Sequence, residues 1–292
     1  MSDPVDLLAR CTFPPAGTHV VCGFSGGADS TALVVLAARA GCRVDAVHVH
    51  HGLRPGADDD AEIAAGTAER LGIDFRTVHV ELDDGPNLEA RARAARRQAL
   101  GPDALTGHTA DDQAETLLLA LLRGSGATGL SAIEPGPRHP ILALRRSETV
   151  ALCRHLNLRV AEDPTNDDPR FRRNRIRHEL LPLLVDIAQR DVTVLLERTA
   201  TLLRDDDRLL GDLATSIDAT KIDELLAAPA PLAARAVRRW LECDGYPPDA
   251  AGIARVFAVA RGEAAACELA GGHRVERRGD RLVLFPTGSA TR

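Results

Sequence analysis

The stretch THVVCGFSGGADSTALVVLAARA, residues 18–40, decides the fold. Residues 18–24 are a short apolar run of the kind that pairs in a buried strand. Ser25-Gly26-Gly27-Ala28-Asp29-Ser30 breaks that run with two glycines. Residues 29–40 are apolar enough to predict a buried helix. Strand, glycine turn and helix in this order let backbone N–H groups converge on an anion, with the positive end of the helix dipole behind them. Ser25 and Ser30 add hydroxyl donors, and Asp29 can hold Mg2+ against phosphate oxygens. A plain turn with a helix cap would suit any strand–helix junction. The complete hexapeptide in this context makes the phosphate reading the stronger one. The Walker pattern needs a Lys before the Ser, and none is near. The G-x-G-x-x-G pattern is absent too.

Outward from this stretch the pattern repeats. Residues 43–49 predict a second strand. Residues 57–71 predict a helix, with Ala61, Ala64, Ala65, Ala68 and Leu71 at helical spacing. A third strand is expected over 74–82, an Arg-rich helix over 87–100, a very short fourth strand over 104–107 and an apolar helix over 110–122. Such alternation implies an α/β fold, a doubly wound parallel sheet with helices on both faces. Past Ile176 the alternation stops. Residues 180–210 read as wholly helical and 231–243 as another helix. Residues 267–285 read as short antiparallel strands around Gly271-Gly272 and Gly279-Asp280. The expected organisation is a catalytic domain over 1–180, a helical linker over 181–214 and a small α+β domain over 215–292.

The bulk numbers agree with a soluble globular protein: 292 residues, 45% hydrophobic and 27% charged. The N-terminal residues lack the basic start and apolar stretch of a signal peptide. The longest apolar run, 32–38, is too short to span a bilayer. A cytoplasmic protein without a membrane partner is expected. The six cysteines, Cys11, Cys22, Cys42, Cys153, Cys243 and Cys267, contain no C-x-x-C pair. Zinc ribbons and dithiol redox motifs are thereby disfavoured, and reduced, mostly buried thiols expected. The net charge of −6 argues against a nucleic-acid partner. Local patches argue the other way. From Arg138 to Arg177 there are ten Arg against five Asp or Glu. Local basic patches bind phosphates on proteins that are acidic overall.

Three further motifs carry chemistry. His48-Val49-His50-His51-Gly52-Leu53-Arg54 falls at the carboxyl end of the second strand, where ligands bind in doubly wound sheets. A loop contacting nucleotide and plain structural histidines both suit it. Thr106-Gly107-His108-Thr109-Ala110-Asp111-Asp112-Gln113-Ala114-Glu115-Thr116 opens a helix. Capping explains Asp111 or Asp112 but not Glu115, which shares a face with Asp112. Two acids on one face could bind Mg2+ or an ammonium. Asp163-Pro164-Thr165-Asn166 leads into residues 170–177, with five Arg in eight positions. Arg173 and Arg177 are one helical turn apart and can face one phosphate.

The hexapeptide resembles SGGxDS, the P-loop of the ATP-pyrophosphatase superfamily, whose fold is adenine nucleotide alpha-hydrolase-like. SGGADS, HVHHGLR, GHTADDQAET, RGSGATGL and DPTN followed by RNRIR, in this order from about residue 20 to 182, together resemble the tRNA(Ile)-lysidine synthetase family. That resemblance implies a ligase joining free L-lysine to C2 of the wobble cytidine in the CAU anticodon of an isoleucine tRNA. ATP would first adenylate the C2 oxygen, with pyrophosphate and then AMP released. The lysidine product would pair with A and change specificity from methionine to isoleucine. It also implies that Ser25, Gly26, Gly27, Ala28, Asp29 and Ser30 bind ATP and that Asp29 holds Mg2+. Asp29, Asp112, Glu115 and Arg173 would stand at the reaction centre, with Arg123, Arg173 and Arg177 on tRNA or phosphate. Of the two acids on one face, Glu115 is assigned to lysine and Asp112 to metal or catalysis. The length fits the short form of the family, with a tRNA-contacting C-terminal domain. A homodimer is left open. Among alternatives, tRNA thiolases of this fold carry cysteine pairs near the site, and glutamine-dependent relatives add a domain for which there is no room. A nucleotide-sensing or RNA-binding protein would not need the three carboxylates together.

Overall fold

The computed structural model describes residues 4–50, 52, 56–81, 88–161, 163–242 and 248–285. His51, Leu53 and Arg54 of the second motif lie outside the described residues, as does Cys243. The chain forms two compact units, Met1–Thr201 and Leu202–Arg292.

The first unit opens with α1 (Pro4–Leu8), β1 (His19–Gly23), α2 (Ala28–Arg39), β2 (Arg43–His50), α3 (Ala57–Leu71), β3 (Asp74–His79) and α4 (Leu88–Leu100). The strands are all parallel in the order β1-β2-β3, with His19 opposite Arg43 and Asp45 opposite Asp74. Side chains alternate between two faces, as a period of two requires. Val20, Cys22, Val44 and Ala46 pack on one face with α2 and with Ala64 and Ala68 of α3. Val21, Val47, Val49 and Val78 pack on the other with Leu100 of α4. Residues 30–37 of α2 are all buried, so this helix is apolar around its whole circumference, and no amphipathic stripe shows in its sequence.

The expected fourth strand shrinks to one residue. Leu105 alone bridges to Cys22, in parallel. Gly23 N donates to Leu105 O at 2.9 Å and Leu105 N to Val21 O at 2.8 Å. Thr106 N then turns away to Arg138 O at 2.8 Å. Gly107 passes so close to the start of α2 that a Cβ there would lie 2.8 Å from Asp29 O. The chain leaves the sheet because it must cross the P-loop turn. The strand order nevertheless reverses between β1 and Leu105, which creates the crevice where doubly wound sheets bind ligands.

Next come α5 (Ala110–Leu122), α6 (Ala127–Leu130) and α7 (Arg146–His155), the last not expected from sequence. A 3-10 turn, Pro164–Asp167, precedes α8 (Arg172–Arg175), a π turn (Ile176–Leu180) and α9 (Leu181–Ala188). The stretch 180–210, expected to be wholly helical, is helical except at residues 189–191. Gln189 takes a left-handed φ of 51°, and the Asp191 carboxylate accepts Thr193 N at 2.9 Å to start α10 (Val192–Ala214) afresh.

The second unit holds α11 (Ile222–Ala227), α12 (Ala230–Trp240) and α13 (Ala250–Arg261). β4 (Ala266–Glu268), β5 (Arg274–Arg278) and β6 (Arg281–Phe285) form an antiparallel sheet in that order. Leu225, Val237, Val256, Val259 and Val275 make its core, with Trp240 partly buried against it. The helix expected over 231–243 forms as α12, ending at Trp240, and the expected antiparallel strands form; α11 and α13 go beyond the sequence expectation. Lys221, the chain's single lysine, precedes α11 with its side chain 49% exposed. Among the described residues no helix is long and apolar enough to cross a membrane, and the five cysteines are free.

Candidate active site

The P-loop turn is built by its own hydroxyls. Gly26 has a φ of 84°, and a Cβ there would meet Asp60 O and the Ala161 Cβ at 3.2 Å. Ser25 Oγ and Ser30 Oγ lie 3.1 Å apart, and Ser30 Oγ donates to Gly27 O at 2.9 Å. Gly27 is the extended residue before α2, with Ala28 and Asp29 in its first turn. The amides of a first turn have no carbonyl partner inside the helix, so they point outward as anion donors.

Three carboxylates gather beside this turn. Asp29 accepts Arg146 Nε at 2.8 Å and the Thr149 hydroxyl. Asp112 spends one oxygen capping its own helix, accepting Thr109 N and Oγ1 at 2.9 Å each. Its other oxygen accepts Arg146 Nη2 at 3.0 Å and Arg173 Nη2 at 2.8 Å. Capping and function thus share one side chain. Glu115 is fully buried. It accepts Arg177 Nε and Arg146 Nη1 on one oxygen at 2.6 and 3.3 Å. Arg173 Nε and Arg177 Nη2 take the other at 2.6 and 3.0 Å. A carboxylate has about four lone-pair sites, and here all four of Glu115 are taken.

Three partly exposed guanidiniums therefore balance three carboxylates, of which Asp112 and Glu115 are buried. Burial pushes the Asp29 carboxyl up, and Arg146 and Thr149 oppose that only in part. Burial would also raise Asp112, but Arg146 and Arg173 outweigh it and hold the group below the usual carboxylate range. Arg146 is partly buried, which lowers its pKa, but the pull of Asp112, Asp29 and Glu115 outweighs that and holds the guanidinium above its usual value. Neighbouring contacts brace the cluster. Asp111 accepts Arg145 Nε and Nη2 at 3.1 Å and Arg146 N at 2.7 Å, tying α5 to α7. Buried Asn174 donates to Thr165 O at 2.7 Å and Asp168 O at 2.9 Å, so the DPTN turn and the Arg-rich helix act as one piece.

The structure thus brings together Ser25, Gly26, Gly27, Ala28, Asp29 and Ser30 with Asp112, Glu115, Arg173 and Arg177. The π turn keeps both arginines in reach of one acid. Arg123 stands apart. It is exposed at the C-cap of α5, eight residues and roughly 12 Å of helix beyond Glu115. Arg146 and Thr149 escaped the motif reading. A signal existed: Arg145 and Arg146 start a helix, where the dipole disfavours cations unless acids face them. His48 is buried, with Nδ1 3.0 Å from Phe24 O, and burial holds its pKa below the usual value. The rings of His50 and His79 are tilted at 50° to each other with centroids 4.8 Å apart. The thiol of Cys153 lies 3.5 Å from Ala28 O and is pushed up to about 12 by burial, which makes it unreactive.

Among the described residues no three His, Cys, Asp or Glu side chains form a metal cage. The donor set suits Mg2+ all the same, because that ion is commonly held by one or two carboxylates plus substrate phosphates.

Comparison with known proteins agrees with the resemblance drawn from the motifs. A PP-loop domain model matches residues 7–184, and a TilS substrate binding domain model matches residues 221–283. The tRNA(Ile)-lysidine synthase of Nocardia farcinica is 47% identical over 143 residues, 46% of this chain and 45% of its own length. That of Cutibacterium acnes is 40% identical over 142 residues, 46% of each. These matches span about half the length of the curated relatives. Among solved structures, the U34-tRNA thiolase NcsA from Methanococcus maripaludis superposes with a TM-score of 0.58. It shares 19% identity, covering 69% of this chain and 77% of that one, and so bears on the fold alone. The PP-loop match takes in every residue of the carboxylate–guanidinium cluster and more than half of the sequence, and on that ground the chain belongs to the PP-loop domain family.

Proposed function

We propose that this chain is an ATP-dependent ligase that forms lysidine at the wobble cytidine of an isoleucine tRNA with a CAU anticodon. The observation that carries this reading is the meeting of Asp29, from the P-loop turn, with Asp112 and Glu115, from α5, around one guanidinium. It joins the place where ATP phosphates would bind to a second charged site. The TilS substrate binding domain match over 221–283 supports RNA as the second substrate, and the names of the relatives support lysidine as the product.

The turn Gly26–Ser30 binds the phosphates through backbone N–H groups and the two serine hydroxyls. The cytidine O2 attacks the α-phosphorus and pyrophosphate leaves. The neutral ε-amine of lysine then attacks C2, loses a proton, and AMP leaves. Asp29 and Asp112 would hold Mg2+, which would offset the phosphate charge as pyrophosphate departs. Glu115 has a different task from the one its spacing suggests. Its oxygens are saturated and fully buried, so it orients Arg173 and Arg177 toward anionic groups; Asp29, with acceptor sites still open, meets the cation, and Asp112, whose four sites are also filled, joins it by giving up a guanidinium. Arg123 and the C-terminal domain, residues 215–292, serve the tRNA. The activity belongs to the cytoplasm, where ATP, lysine and tRNA occur together.

The test is incorporation of labelled lysine into an isoleucine tRNA transcript bearing CAU. Label should enter with ATP and Mg2+, and Asp29→Ala should lower the rate by roughly a hundredfold or more. Absence of label with pyrophosphate still released would point to another nucleophile. Absence of both would overturn the reading.

A further inference from the structure

Thr106, His108 and His139 meet at the carboxyl edge of the sheet, beside the ion cluster but outside it. Thr106 Oγ1 lies 2.8 Å from His108 Nδ1 and 2.8 Å from His139 Nδ1. The two Nδ1 atoms are 3.2 Å apart, and the rings stand at 85° with centroids 4.9 Å apart. At that separation two N–H groups would clash and two bare lone pairs would repel. One Nδ1 therefore carries a hydrogen and the other accepts, so the rings are opposite tautomers. The Thr106 hydroxyl bridges them, accepting from the first and donating to the second. Its contact to Arg138 O, at 3.3 Å, is longer.

Each tautomer fixes the state of its remaining nitrogen. Nε2 is a bare acceptor on one ring and an N–H donor on the other. Among the described residues neither Nε2 has a protein partner, and neither is a buried orphan. The pair thus leaves one donor and one acceptor without a protein partner among the described residues. Both rings stay neutral near pH 7, since burial pushes His108 down to about 4 and holds His139 below its usual value. A neutral pair is poorly matched to phosphate. It is well matched to a planar edge with an amino donor next to a ring-nitrogen acceptor, the edge that cytosine and adenine share. His108 directly precedes Thr109, whose N and Oγ1 donate to Asp112, which sets it beside the reaction centre.

We propose that His108 and His139, locked as a donor–acceptor pair by Thr106, form a site for the amino edge of a nucleobase. Resting on the function proposed above, the base it reads is the wobble cytosine. Uracil presents the opposite order, an acceptor oxygen beside an N–H donor, and would require both tautomers and the hydroxyl to switch together.

The experiment uses the full chain and two anticodon stem–loop RNAs that differ only at the wobble position, CAU and UAU. RNA Kd without ATP, KM for RNA and for ATP in pyrophosphate release, and Tm are read for wild type, Thr106→Val, Thr106→Ser and His139→Ala. The wild type should prefer CAU. Thr106→Val and His139→Ala should raise Kd and KM for the CAU RNA and shrink that preference roughly tenfold or more. KM for ATP and Tm should hold, and Thr106→Ser should restore the preference. A rise in KM for ATP instead would assign the pair to adenine and overturn the cytosine reading. Unchanged preference in both variants would overturn the site itself. A wild type that releases no pyrophosphate, yet shows a Thr106-dependent CAU preference in Kd, would sink the proposed reaction and support the site.

Discussion

Glu115 has no exposed surface and four guanidinium N–H groups on its two oxygens. A buried charge so completely paired is tolerated, but removing its charge strands the partners. Breaking one side of a buried ion pair costs about 3–5 kcal/mol. Glu115→Gln should therefore lower Tm by several degrees and weaken pyrophosphate release at once, measured by thermal melting beside a turnover assay. Arg173→Ala should cost less, because Arg146 and Arg177 still reach the acid. If Arg173 and Arg177 served only a phosphate, their loss would leave stability unchanged. Burial of their common partner reverses that, and a Tm unchanged in both arginine variants would contradict the cluster. Asp112 and Glu115 were legible in sequence because three residues of helix put them on one face. Arg146 was not, since 117 positions separate it from Asp29 and only the folded crevice brings them together.

Elements were legible where period and punctuation agreed. Residues 57–71 end at a left-handed Gly72, and 110–122 begin at a Thr–Asp cap, so both match α3 and α5 to the residue. The fourth strand failed because four apolar or small residues look alike whether they pair along a sheet or cross it. What decides is Gly107, whose missing side chain lets the 106–109 segment lie on the first turn of α2. Gly107→Ala places a methyl 2.8 Å from Asp29 O. Overpacking of this kind costs about 1–3 kcal/mol. The segment should lift from the P-loop turn, with KM for ATP rising along with the loss in Tm. An alanine variant with wild-type KM and Tm would show that the contact is slack. α7 is ten residues long, and a helix that short draws on tertiary packing for what its pattern lacks. α13 does carry apolar residues at helical spacing, Ile253, Val256, Val259 and Ala260, so a signal for it was present in the sequence.

At the scale of the molecule the chain is two cores, each with its own sheet, inside residues 1–201 and 202–292. Multi-domain chains depart from single-transition unfolding. The single tryptophan, Trp240, packs in the second core, so its fluorescence reports that unit only. In a urea titration the Trp240 transition and the far-UV circular dichroism transition should have different midpoints. Coincident curves would mean that the two cores unfold as one. Composition could never reveal this division, because it gives the overall charge of −6 and conceals where each charge stands.

The lone lysine at position 221 turns that uneven chemistry into a handle. Its side chain is half-exposed, with Glu224 Oε2 3.9 Å away, just before α11. An amine-directed dye therefore finds one side chain in the whole protein, and it finds it at the edge of the region matched by the substrate binding domain model. A fluorophore can be installed there without engineering, beyond any label on the terminal amine. The enzyme proposed to handle free lysine would then carry its reporter on the only lysine it has.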